Sequence, residues 1–236
     1  MTQTLAEKAY DHIRDKLARG ELTPGNRLVN RALATEIGVS VIPVREALHR
    51  LSTEGLVEHV PGSGTFVRET DPQELDNLYV LRDALESCAA SEAARRATDL
   101  QLEEMELVLS ESQAIADKLG QQTSGHATKR QINLWLDLEQ QFHGLLMEAA
   151  HNRMLAKVTE EHRAIGQVFD AQRDTPLILT AEVAQETCAG KRRLLKALRA
   201  QDAARARKLM SDQIQRGRRQ VLKHLRAARN STRARR

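Results

Sequence analysis

Apolar residues recur at helical spacing along most of the chain and alternate with polar ones in one short stretch. Leu5, Ala9, Ile13 and Leu17 line one face of a predicted first helix, which Gly20 stops. ELTPGNRL follows, with Pro24-Gly25 marking a turn. NRALATEIGVS predicts a short second helix, with Asn30 capping its start and Gly38 its end. Ser40 is positioned to cap a third helix that runs to about Glu54, where Gly55 closes it. Pro43 sits in its first turn, where a missing N–H costs nothing. LVEHV and TFVRE alternate around PGSG and predict a two-stranded hairpin. The order is helix, helix–turn–helix, two-stranded wing.

After Asp71-Pro72 no strand pattern returns. Six helices are expected, over 72–97, 100–118, 129–150, 152–173, 178–200 and 202–226. Asn152 reads as a helix cap. The fold class is therefore mostly α: an N-terminal winged helix-turn-helix over 1–70, an all-helical bundle over 71–226, and a basic, disordered tail over 227–236.

Composition agrees. The 236 residues are 41% hydrophobic and 3% aromatic, with much Ala, Leu, Arg and Glu. No apolar run approaches the ~18–20 residues a spanning helix needs. The charged start MTQTLAEKAYDHIRDKL does not read as a signal peptide. Cys88 and Cys188 match no zinc or redox spacing and are expected to be reduced in a cytoplasm. The net charge of +4 is unevenly placed. Residues 1–70 hold nine basic and nine acidic side chains, whereas residues 216–236 hold nine basic and no acidic ones. Any nucleic-acid contact by the first segment must then come from individually placed charges.

The third helix supplies such charges. Val44, Ala47, Leu48 and Leu51 form an inward stripe, and Val41, Arg45, His49 and Ser52 another face. A helix lying in a major groove needs this division, and the arginine fork matches guanine O6 and N7. Arg45 is the first candidate for a base contact, with His49 and Val41 beside it. Ser40 and the free N–H groups at the helix start suit a phosphate. Ser63 and Gly64 form the wing tip, and Arg50 and Arg68 can meet backbone. The alternative is a winged helix used for protein contacts, with Arg45 merely solvated.

GELTPGNRL, EIGVS, PVREALHRL, STEGLV and PGSGTFV occur in the order and near the spacing of one known pattern. In these motifs residues 5–69 resemble the winged-helix domain of the GntR family of bacterial transcription regulators. The resemblance implies DNA binding, with Arg45 on a guanine of a palindromic operator. One departure stands out: Val41 and Ile42 occupy positions where the family has Arg and Thr. An apolar pair there either touches thymine methyls or packs internally.

LYVLRDALESCAASEAA, EQQFHGLLMEAAHNRML and LLKALRAQDAARARKLM resemble the helical ligand (FCD) domain of the FadR-like branch, in its shorter six-helix variant. That resemblance implies an effector pocket and, in many members, a divalent metal. Of the four ligand positions, His143 is present and Glu139 stands for Asp, but Lys191 and Gln213 replace histidines. No cofactor is expected. A metal is disfavoured and, if held at all, would sit on Glu139 and His143, with His162, Cys188 or His151 as substitutes. Glu139 and Lys191 can pair in its place, or Glu139 and His143 can form a surface pair. Arg82, Glu139, His143, Lys191 and Gln213 are the candidate effector residues, forming a cationic floor suited to a small organic acid; alternatively Arg82 pairs with Glu86. Trp135, Phe142 and Phe169 read as core or cavity wall.

The reading is a homodimeric, cytoplasmic, ligand-responsive transcription regulator, a repressor by resemblance, on a double-stranded operator. Its rivals are a non-specific architectural DNA binder and an enzyme acting on a small acid. No nucleophile–base–orienter set is legible, so no catalytic residue is expected.

Overall fold

In the computed structural model, which describes residues 3–18, 21–68, 71–162, 172 and 176–233, the chain divides at Thr70 into two units. Gly20, Phe169 and the part of the expected fourth bundle helix beyond residue 162, apart from Gln172, lie outside the described residues.

The first unit holds α1 (Leu5–Ala18), α2 (Asn30–Ile37) and α3 (Val41–Thr53) around buried Ala9, Ile13, Leu33, Val44, Leu48 and Leu51. Two caps differ from expectation. Asn30 is the first residue of α2, and Val29 holds the cap position without a side-chain bond. Ser40 holds the cap position of α3, but its hydroxyl makes no cap bond either. The helix ends are as the glycines suggest. Gly38 takes φ +74°. At the end of α3 the Leu56 N–H donates to Leu51 O and the Gly55 N–H to Ser52 O, each at 3.0 Å. Gly55 has φ +72°, so this is a Schellman turn.

The sheet has three strands where two were expected. β2 (Val57–Val60) pairs antiparallel with β3 (Gly64–Val67), and β1 (Arg27–Leu28) adds to the other side of β3. Pro24 and Gly25 form the turn that makes this possible. Asn26 N–H donates to Thr23 O at 3.0 Å, and Gly25 has φ +81°. Gly25 N–H then reaches Val67 O (2.9 Å), and Val67 N–H reaches Asn26 O (2.8 Å). A two-residue strand is too short for alternation to show.

The second unit holds α4 (Pro72–Arg96), α5 (Asp99–Gly120), α6 (Lys129–Ala149), α7 (Arg153–His162), α8 (Ala181–Arg199) and α9 (Ala203–Arg233). Its helix starts are well capped. Asp71 accepts from Gln73, and Thr98 with Gln101 and Thr128 with Gln131 form capping boxes. Asn152 caps α7, accepting from Met154 (3.1 Å) and Leu155 (3.2 Å). α8 starts later than expected, because Thr180 caps it and Pro176–Ile178 forms a separate 3-10 turn. α9 runs to Arg233, so residues 227–233 are helical and not the disordered tail expected; their Ala and Arg are good helix formers. α4 packs along α9 and α6, and α5 along α6 and α8. Among the described residues no helix is long and apolar enough to cross a membrane.

Candidate functional site: an outward helix and a buried charge cluster

The faces of α3 divide as the spacing predicts. Val44, Ala47, Leu48 and Leu51 are buried. Arg45 and His49 are exposed, and Arg45 has no partner among the described residues. Val41 is a correction: it is half-buried and packs on the core of its unit, so it does not belong to the outward face. Ile42 takes that place and is 66% exposed.

Arg50 is also used differently from the free phosphate contact expected. Its guanidinium carbon lies 3.8 Å from the Tyr10 ring centroid, and its Nε donates to Glu54 at 3.3 Å. The Tyr10 hydroxyl donates to the same carboxylate at 2.8 Å. The trio fastens α3 to α1. Only the Arg50–Glu54 spacing of four residues was readable in advance.

At the wing tip Ser63 is exposed, and Gly62 and Gly64 take φ +74° and +117°. A Cβ on Gly64 would sit 3.1 Å from Arg27 Nε. Exposed Arg27 therefore lies against the wing tip, a basic position that no motif advertised. Arg68 is exposed as well.

In the second unit, α4, α6 and α8 bring a chain of charged groups together in the interior. Arg82, Glu86, Glu139, His143 and Lys191 are each at most 7% exposed. Arg82 Nε donates to Glu86 at 2.6 Å, and the other Glu86 oxygen meets His143 Nδ1. His143 Nε2 lies 3.9 Å from Glu139, which accepts from Lys191 Nζ at 2.7 Å. The Lys191 ammonium also sits 4.3 Å from the Phe142 ring centroid. Burial alone would raise the Glu86 pKa, but the Arg82 and His143 groups beside it win and bring it from 4.5 to about 2. Burial acts to lower the Arg82 pKa, but Glu86, Tyr79 and Glu139 together outweigh it and leave it raised. Tyr79, buried beside this chain, has its phenol pushed up by desolvation.

A cavity of about 100 Å³ opens beside the cluster. Arg82, Glu139, His143 and Gln213 stand on its wall with Trp135 and Tyr79. Gln213 Nε2 is buried there with no hydrogen-bond partner among the described residues. Two expectations are corrected. Lys191 is not on the wall, since its ammonium is committed to Glu139. The floor is also not simply cationic, because Glu86 and Glu139 balance Arg82 and Lys191. Arg216, on the wall and 3.1 Å from Glu186, is a basic group that sequence reasoning missed. Phe142 is core and Trp135 is cavity wall.

Comparison with known proteins matches each unit separately. Residues 5–67 match bacterial regulatory proteins of the gntR family. Residues 77–216, more than half the chain, match the FCD domain. The chain belongs to the GntR family, in its FCD branch. This GntR protein is 34% identical over 134 residues to the Nta operon transcriptional regulator of Aminobacter aminovorans, covering 57% of this chain and 58% of that one. It is 27% identical over 151 residues to the HTH-type regulator YdhC of Bacillus subtilis, covering 64% and 63%. The matches thus span less than two thirds of these relatives' length. It is 50% identical over 66 residues to the repressor MngR of Escherichia coli, which is 28% of each chain. The fold is that of E. coli McbR/YncC, with TM-score 0.72 and 23% identity over 95% of this chain and 100% of that one.

The metal that the FCD branch implies does not fit these residues. A ligand carboxylate must be free to bind a cation, and Glu139 already holds the Lys191 ammonium. A divalent ion there would face that ammonium at close range. The substitutes fare no better. Burial pushes the Cys188 thiol up to about 11, and the thiolate is the ligating form. His151 is exposed and bonded to Gln101 at 3.1 Å. The His162 side chain lies outside the described residues. Among the described residues no group of three His, Cys, Asp or Glu is placed to hold a metal.

Proposed function

We propose that this GntR protein is a homodimeric transcription regulator that binds a palindromic operator through α3 and is released from it by a small carboxylate taken into the helical unit. One observation carries the DNA part: Arg45 stands exposed, with no partner among the described residues, on the outward face of a helix whose inward face is fully committed to the core. His49 lies one turn further on, while Ser40, Ser63, Arg27 and Arg68 offer donors to phosphates. Two copies related by a dyad would meet two successive major grooves. The resemblance to MngR supports repression.

The effector part rests on the cavity. Gln213 presents an N–H donor unused among the described residues, and Arg82 and Arg216 are basic groups on the wall. A small oxyanion accepts from both kinds of group. The ligand acts by binding the DNA-released arrangement more tightly. A 10–100-fold change in operator affinity requires about 1.4–2.7 kcal/mol of coupling.

The test uses Trp135, the single tryptophan of the chain. Titration with a panel of small carboxylic acids should change its fluorescence saturably for one class. That class should weaken operator binding and lose its effect on Gln213→Leu. If no acid perturbs Trp135 while a neutral metabolite does, the carboxylate assignment is wrong. A companion result is expected from elemental analysis of protein purified without chelator: metal well below one ion per chain. Stoichiometric zinc or nickel would contradict the pairing of Lys191 with Glu139.

A further inference from the structure

The outward face of α3 carries an apolar side chain among its polar ones. Ile42 is 66% exposed in the first turn, three residues before Arg45 and seven before His49, so the three share one stripe. Exposure of a single apolar residue is commonplace. Its company is what matters here. Val41 has taken the packing role at the start of the helix, so Ile42 is not needed by the core. Glu46, also exposed, lies on the same stripe. An isoleucine and a carboxylate both disfavour a phosphate, which leaves base edges as the surface that this part of the stripe meets. In the major groove only thymine offers an apolar group, its C5-methyl.

We propose that Ile42 reads a thymine methyl beside the guanine met by Arg45, making T·A at that step a specificity determinant of this protein's operator. The proposal rests on α3 being the recognition helix. It adds an apolar contact where the family motif carries polar residues.

The test exchanges one atom group. An operator is selected from randomised duplexes with the full-length protein, and each thymine of the half-site is then replaced symmetrically by deoxyuridine, which removes only the methyl. One exchange should weaken wild-type binding by about fourfold per half-site, the fold-change expected for about one buried methylene. Ile42→Ala, an exposed substitution that spares the fold, should bind the two duplexes equally. If the wild type keeps its guanine preference but ignores every uridine exchange, this inference fails and the recognition-helix reading stands. If Ile42→Ala remains as sensitive as the wild type, another residue reads the methyl and the assignment is overturned. If no sequence is enriched at all, α3 is not a base reader and both fall.

Discussion

Arg45→Ala is expected to leave folding unchanged and remove most of the discrimination between operator and random duplex. The side chain is exposed and unpartnered among the described residues, so its loss opens no cavity and strands no charge. A bidentate arginine–guanine contact is worth about 1–3 kcal/mol of discrimination. Two symmetric half-sites give roughly 2–6 kcal/mol, so the specificity ratio should fall by about thirtyfold or more. Arg45→Lys should recover little of it, since an ammonium lacks the fork. Residual binding should resemble that to random DNA and keep its dependence on salt. Competition binding of the wild type and both variants, at one fixed salt concentration, measures this. An unchanged ratio in Arg45→Ala would remove Arg45 from base recognition.

Glu86→Ala should cost the helical unit about 3–5 kcal/mol, as expected when one member of a buried ion pair is removed. Arg82 would remain in the interior without the carboxylate that holds its Nε at 2.6 Å. Trp135 fluorescence in urea follows this unit specifically, because the first unit contains no tryptophan. The double variant Arg82→Met with Glu86→Leu should regain most of the loss, since an apolar pair needs no compensation. The pH dependence has a definite sign. The Glu86 pKa is depressed in the fold, from 4.5 to about 2. Its contribution is therefore fully present above about pH 4.5 and lost as pH falls towards 2. Glu86→Gln should show a shallower loss of stability across that window. An equally steep loss would mean that other carboxylates dominate the acid unfolding.

Legibility in the sequence followed the length scale of the interaction. Helices with several turns announced themselves through periodicity, and Gly38 and Gly55 marked true ends because their positive φ demands glycine. β1 did not, because two residues carry no period and its pairing depends on the Pro24-Gly25 turn. Ser40 was placed correctly at its helix start, yet the identity of a cap residue does not decide whether its hydroxyl bonds inward. Val41 and Ile42 show the same limit. Two adjacent apolar residues look alike in sequence, and only the helix rotation decides which one packs. In the bundle, Arg82–Glu86 and Glu139–Lys191 were each foreseeable as pairs. Their fusion through His143 into one chain of charges was not, since it joins α4 to α6 across 57 residues of sequence. Arg216 escaped notice because nothing in a run of arginines distinguishes the one that faces a cavity.

The most direct test of the whole account is selection of bound sequences from a randomised duplex pool by the full-length protein. The account requires an inverted repeat with a guanine in each half-site, recovered by the wild type and lost by Arg45→Ala. Recovery of no sequence, with equal affinity for every duplex and a steep salt dependence, would describe an architectural DNA binder and contradict it.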